Sequence, residues 1–252
     1  MKKEESRQGH SLIFEGMTSL SAVINGKMRS IEKVYIDKEK ADSKRKQIDF
    51  LKHRADELSF EIEYTDPAFI EELTTGNSHG GIIAVCSDRT IPTLDTLTPS
   101  EDGFYVMIDG IEDPYNFGYA IRSIYAAGAD GIILTPRNWM SAAGVVCRSS
   151  AGASELLPIY VSEGEDACEY FKKFDYKIAC AGIRNSVSAF DADLKKPVFL
   201  IVGGEKRGIS AKILTKADTV VRLDYGRDFQ GSLSAASAAS ILSYEILRQN
   251  RK

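Results

Sequence analysis

Apolar positions change their period several times along the chain, and the changes divide it. Residues 11–24 predict a short helix, and residues 33–37 a short strand. Ile48, Leu51, Ala55 and Leu58 recur at steps of three and four, which predicts an amphipathic helix over 40–58. From Glu61 to Thr65 charged and apolar residues alternate, as in a strand. Residues 67–73 predict a helix opened by a proline, with Asp66 as its N-cap. Residues 80–87 predict a buried strand. The Thr-, Pro-, Ser- and Asp-rich stretch 88–103 predicts a linker. A boundary near 98 then separates a small α/β unit, 1–98, from a larger one, 99–252.

The second part repeats a strand–helix rhythm. Strands are predicted at 104–109, 131–135, 156–161, 177–182, 198–203 and 219–224, and helices at 116–128, 141–148, 165–174, 208–216 and 232–249. Short apolar strands alternating with helices imply a largely parallel sheet covered on both faces. Ligands in such sheets bind outside the carboxyl ends of the strands. The unusual loops of this sequence fall at those ends.

Composition narrows the function. The chain has 252 residues, 43% hydrophobic and 27% charged, as expected of a folded protein. No run approaches about 18 uninterrupted apolar residues, so no membrane span is expected. The start, MKKEESRQGHSL, lacks the apolar segment of a secretory signal, and a cytoplasmic protein is expected. Four cysteines (86, 147, 168, 180) form no CxxC pair and only three histidines are present. Reduced, buried thiols are expected and a metal site is not. The net charge of −4 argues against a protein that coats nucleic acid indiscriminately. From Lys27 to Arg54, however, ten basic residues face five acidic ones, a local charge of +5. A solvated helix face and an RNA-contacting face are equally compatible with it.

Phosphate cradles are missing. No GxGxxG follows the first strand of either part. Gly203–Gly208 has P-loop spacing but is followed by Ile209, where a P-loop needs Lys. Hydrolase chemistry lacks a GxSxG elbow. Three loops remain. In the first, Asp109 to Arg122, Pro114 and Gly118 shape the turn, Asn116 is placed to cap the following helix, and Arg122 lies six residues further on. In the second, Gly203 and Gly204 at a strand end let backbone approach a ligand closely, ahead of Glu205 and Gly208. The third opens the last helix with nine small residues in the ten positions Gly231 to Ser240.

These loops, in this order, resemble the three motifs of the SpoU/TrmH family of RNA ribose 2′-O-methyltransferases, within the SPOUT superfamily. Asp109, Asp113, Pro114, Asn116, Gly118 and Arg122 match D-x3-DP-x-N-x-G-x3-R at every position. Gly203, Glu205 and Gly208 match G-x-E-x2-G. Ser232 and Leu233 match the start of S-L-N-V-S-x-A, where Ser234 replaces the family's Asn. Ser150 to Ala153 is similar to the family's S-A-G-A turn, and His79 to Ala84 to its H-Q-G segment. The loop before the third motif, DYGRDFQG, is about three residues longer than in the family.

The resemblance implies S-adenosylmethionine (AdoMet) as cofactor and a catalytic domain with a deep trefoil knot. It also implies an L30e-like substrate-binding domain over 1–98 and a homodimer built through the C-terminal part. By motif position Arg122 is the catalytic arginine, with Asn116 and Glu205 in support. Gly203, Gly204, Val221, Leu233 and Ser234 fall at the cofactor positions. The expected activity is methylation of a ribose 2′-OH, in ribosomal RNA ahead of transfer RNA, without metal. The competing reading, motivated by Ser234, is an RNA- or ribosome-binding protein that kept the fold and lost turnover. A dinucleotide-dependent oxidoreductase is disfavoured by the missing glycine fingerprint. His79, Trp139, Arg137 and Arg148 are read as packing or surface residues, with RNA contact open for His79 and the two arginines.

Overall fold

A computed structural model of the chain describes residues 12–74, 79–136, 142–204 and 208–251. Its contacts form two compact units: residues up to 90 together with 142–156, and 91–136 together with 157–251.

The first unit runs β1 (Leu12–Glu15), α1 (Gly16–Gly26), β2 (Ile31–Asp37), α2 (Arg45–Leu58), β3 (Glu61–Thr65), α3 (Pro67–Leu73) and β4 (Ile82–Cys86). Its sheet has the order β1-β4-β2-β3, with β4 antiparallel to both neighbours and β2 parallel to β3. The helix predicted from residue 11 begins later. Leu12 and Phe14 alternate inward, opposite Cys86 and Ala84, so this stretch is a strand and the helix starts at Gly16. In α2, Ile48 and Leu51 are buried as the periodicity requires, whereas Leu58 is exposed. Asp66 stands at the N-cap of α3 without a capping side-chain bond; its carboxylate pairs with Lys38.

The second unit continues with β5 (Phe104–Asp109), α4 (Pro114–Ala126) and β6 (Gly131–Leu134). The chain passes through α5 (Ala143–Ser149) and α6 (Ala153–Leu156) before β7 (Ile159–Val161), α7 (Gly164–Lys172) and β8 (Lys177–Ala181). The last elements are β9 (Val187–Ser188), β10 (Val198–Gly203), α8 (Ala211–Leu214), β11 (Thr219–Arg222) and α9 (Ala235–Asn250). The seven strands form one sheet, β7-β6-β5-β10-β8-β11-β9, and every pairing is parallel. This is the α/β architecture the rhythm predicts, with β9 added where two residues carry too little pattern to read. Phe171 of α7 stacks on Phe199 of β10 at 4.2 Å in the core under one face. Helices α4 and α9 pack on each other.

The stretch 88–103 is more structured than a linker. Leu94 and Leu97 are buried in the core of the second unit, and Tyr176 donates its hydroxyl proton to the Ser100 carbonyl at 2.5 Å. Residues 142–156, by contrast, pack with the first unit. Ala143 and Cys147 join its core, and the approach is backbone to backbone. A Cβ on Gly144 would lie 2.0 Å from the Ile13 carbonyl oxygen, and one on Gly26 would lie 1.8 Å from that of Glu155. Arg148 pairs with Glu15 here, which gives it a structural task. Arg137 and Trp139 lie outside the described residues.

All four cysteines are free and buried. Desolvation pushes the thiols of Cys86, Cys147 and Cys180 up to about 12 and that of Cys168 to about 11. They are therefore unreactive at neutral pH.

Candidate active site

Parallel strands deliver their carboxyl ends to one edge of a sheet, and here that edge gathers the sequence motifs. β5 and β10 are neighbours in a register that sets Asp109 beside Gly203. The turns beyond them touch. A Cβ on Gly204 would fall 2.3 Å from the Gly110 carbonyl oxygen, so only glycine lets the second loop lie against the first. The Gly208 N–H donates to the Gly204 carbonyl at 2.9 Å and closes the second loop. Glu205, between them, lies outside the described residues.

Asn116 was expected to cap α4, but the cap is Asp113. Its carboxylate accepts the Asn116 backbone N–H at 2.7 Å, and Pro114 occupies the first helical position. A proline there has no N–H to satisfy, so the carboxylate three residues before Asn116 is the better-placed acceptor. Asn116 is half-buried, and Arg122 is exposed. Six residues apart on one helix, they point about 120° away from each other and are separated by about 9 Å along the axis. Arg122 makes no hydrogen bond or ion pair to any described residue. Among the described residues nothing occupies its guanidinium.

A cavity of ≈ 720 Å³ opens at the ends of β8, β10 and β11. Gly203, Gly204, Val221 and Leu233 all line it, so these four predicted residues come together from three separate stretches. Ser234 is not in the lining. It caps α9, its hydroxyl accepting the Ser237 N–H at 3.1 Å. Ser and Asn are comparably good N-caps, so the substitution preserves this helix start. Asn116 and Arg122 also lie outside the lining.

The cavity includes residues that motif reasoning passed over. Gly182, Ile183 and Arg184 follow β8, and Tyr225 and Phe229 belong to the loop between β11 and α9. Two aromatics inside an otherwise polar loop are the signal that would have marked them. That loop is tied at both ends. Near its start, Asp224 receives the Ser188 hydroxyl proton and the Arg222 Nε proton, and these bonds, Ser188 first, pull its carboxyl below the usual range. Arg222 also donates to the Ser186 carbonyl at 2.7 Å. Near its end, the Leu233 N–H donates to the Tyr225 hydroxyl oxygen at 3.3 Å.

In the first unit His79 is buried and its Nδ1 accepts the Gly81 N–H at 3.1 Å. That bond shapes the turn before β4. Among the described residues no group of three His, Cys, Asp or Glu is arranged to hold a metal ion, and no helix is long and apolar enough to cross a membrane.

The family model of the SpoU rRNA methylases matches residues 103–244. The 23S rRNA (guanosine-2′-O-)-methyltransferase RlmB of Shewanella oneidensis is 28% identical over 195 residues, which cover 75% of this chain and 79% of that one. The SpoU methyltransferase AviRb from Streptomyces viridochromogenes, solved in complex with the cofactor AdoMet, superposes with a TM-score of 0.80 at 25% identity. That match covers 95% of this chain and 90% of that one. An AdoMet-bound rRNA methyltransferase from Sinorhizobium meliloti shares the fold, with a TM-score of 0.79 at 23% identity over 94% of this chain and 87% of its own. A model match over more than half of the chain, spanning all three motif loops, shows that the protein belongs to the SpoU rRNA methylase family.

Proposed function

We propose that this chain methylates a ribose 2′-OH of ribosomal RNA, using AdoMet bound in the cavity at the carboxyl ends of β8, β10 and β11. The observation that carries this reading is the convergence of Gly203, Gly204, Val221 and Leu233 on one cavity. A volume of ≈ 720 Å³ lies within the range of about 300–1,000 Å³ typical of small-molecule sites. Its glycine-rich and apolar walls suit an adenosine, which needs backbone hydrogen bonds at its edge and a flat apolar slot. When bound, AdoMet supplies an electrophilic methyl group.

The chain's own task is to place the ribose oxygen in line with that methyl and to lower the cost of removing the hydroxyl proton. Arg122 is the group for this. A guanidinium is a hydrogen-bond donor with no acceptor, so it is no general base. Its planar guanidinium fork stabilises negative charge developing on the 2′-oxygen or fixes the adjacent phosphate. Asn116, turned away from Arg122 on the same helix, contacts the substrate, and Glu205 keeps the supporting role that its position in the second motif implies. Ser234 acts through the α9 cap that presents Leu233. The position of β10 between β5 and β8, with α9 returning to pack on α4, supports threading of the C-terminal segment as a trefoil knot.

In this reading the protein is cytoplasmic and works as a homodimer. Tyr115, Tyr119 and Tyr125 of α4 and Ile241, Tyr244 and Leu247 of α9 are exposed on two helices that pack together. A second copy related by two-fold symmetry would cover them. Tyr119→Glu with Tyr244→Glu is expected to yield a monomer in sedimentation and to abolish methyl transfer; a fully active monomer would sink the dimer requirement.

The first unit is the RNA grip, an L30e-like domain in this reading. Lys33, Lys38, Lys40 and Arg54 are engaged by acidic partners. Lys44, Arg45 and Lys46, at the start of α2, have no ion-pair partner among the described residues. Cations at a helix N-terminus oppose its dipole, so their placement there does not serve stability. Charge reversal of all three is expected to weaken RNA binding and flatten its salt dependence by roughly 2–3 units in slope. AdoMet affinity and thermal stability should hold. Unchanged RNA binding would make the basic stretch a solvated face.

Incubation with methyl-labelled AdoMet and ribosomal RNA tests the whole reading. Label should appear on a ribose 2′-oxygen, seen as an alkali-resistant dinucleotide. AdoMet binding without transfer to any RNA would favour the turnover-deficient binding protein instead.

A further inference from the structure

The loop between β11 and α9 carries groups that methyl transfer does not require. Tyr225 and Phe229 both line the cavity and remain 38% and 52% exposed. Their rings meet edge to face at 5.4 Å. Neither ring is loose. The Tyr225 hydroxyl is held by the Leu233 N–H, and Phe229 lies so close to Gly231 that a Cβ there would sit 2.5 Å from the ring. The loop thus fixes an apolar, aromatic surface in contact with solvent, although exposure of such a surface gains nothing for folding.

Charge around the pair is selective. Arg222, Asp224 and Asp228 are spent on one another or on neighbours: Arg222 on Asp224 and the Ser186 carbonyl, Asp228 on Gln230. Arg184, which lines the same cavity, and Arg227, within the loop, are exposed and have no hydrogen bond or ion pair to any described residue. Fixed aromatic faces beside guanidinium groups that no described residue pairs are the arrangement that holds single-stranded nucleic acid. Bases stack on the rings, and the cations take phosphates.

We propose that Tyr225 and Phe229 form a stacking platform for an unpaired base of the RNA substrate, with Arg184 and Arg227 contacting the phosphates beside it. This rests on the RNA-methyltransferase reading above. The platform would restrict the enzyme to ribose in loops or bulges, because a base inside a duplex cannot reach a ring face. The loop would then set substrate choice without altering the transfer step.

The test uses the full-length protein, a fluorescently labelled single-stranded RNA of mixed sequence, the same RNA annealed to its complement, and AdoMet. The wild type should bind the single strand more tightly than the duplex. Phe229→Ala should weaken single-strand binding by roughly 5- to 100-fold, the range for loss of one base–aromatic stack, and erase the preference over duplex. Phe229→Trp should restore both. Arg184→Ala with Arg227→Ala should lower the salt slope instead. AdoMet affinity is measured by calorimetry, and the loss of single-strand binding should appear without AdoMet as well as with it, because the base and not the cofactor stacks on the ring. A Phe229→Ala protein that loses AdoMet and keeps RNA would make the loop a cofactor cover and overturn the proposal. Unchanged affinity for both would overturn it as well. A wild type that binds AdoMet but no RNA of any form would instead overturn the reading on which the platform rests.

Discussion

Arg122→Ala is expected to lower methyl transfer by about 10²-fold or more, the scale for removing one donor to a developing oxyanion. The fold and AdoMet affinity should persist, because Arg122 is exposed on α4, has no described partner and lies outside the lining of the cavity. Arg122→Lys should rescue little, since a point charge does not reproduce a planar fork. Single-turnover rates with saturating AdoMet and RNA separate this loss from weakened binding. Ser234→Asn, in contrast, should be tolerated, because both residues cap α9 equally well. A near-normal rate for Arg122→Ala would remove Arg122 from the reaction and favour the binding-protein reading.

Glu155→Ala is expected to destabilise the first unit by about 3–5 kcal/mol, the cost of leaving a buried charge without its partner. Arg29 Nε and Glu155 Oε2 pair at 2.9 Å, and both side chains are only 3% exposed. Arg29 also donates to the Ser87 carbonyl and sits over the Phe14 ring at 5.1 Å. Nearby, burial lowers the pKa of the Arg89 guanidinium, while Glu155 acts to raise it. Removal of the carboxylate therefore leaves the buried Arg29 cation without its ion-pair partner. Replacing Arg29 and Glu155 together by Met and Leu should cost much less than the single change, because no charge is then left unpaired. Urea denaturation of the single and double variants checks this; a Glu155→Ala loss below about 1 kcal/mol would show that the pair is solvated and interchangeable.

The two effects reach different parts of the molecule, and the sequence disclosed them unequally. The motif loops were legible because residue type and spacing are distinctive there: the run from Asp109 to Arg122 and the glycines at 203 and 204 stand out in a single chain. The parallel sheet was legible for the same kind of reason, since buried strands between helices leave short apolar runs. Other features depended on partners distant in sequence. Leu12 and Phe14 read as part of a helix until β4 supplies the opposite strand. The apolar face of α5 could have packed in either unit; the close approach of Gly144 to Ile13 and of Gly26 to Glu155 decides it, and backbone proximity of that kind leaves no periodicity. Asn116 was a plausible cap by type, but the cap depends on where the helix begins, and Pro114 moved that start forward. Tyr225 and Phe229 were marked only as two aromatics in a polar loop, and that they line the cavity depends on where the loop folds.

The central claim is that this chain places a methyl group on a ribose of ribosomal RNA. Mapping 2′-O-methyl positions across total RNA from cells with and without the gene tests it most directly. The account predicts one or a few ribose methyl groups in ribosomal RNA, at unpaired nucleotides, that vanish on deletion. They should return with the wild-type gene and stay absent with Arg122→Ala. An unchanged 2′-O-methyl map, or a lost methyl group that proves to lie on a base, would contradict it.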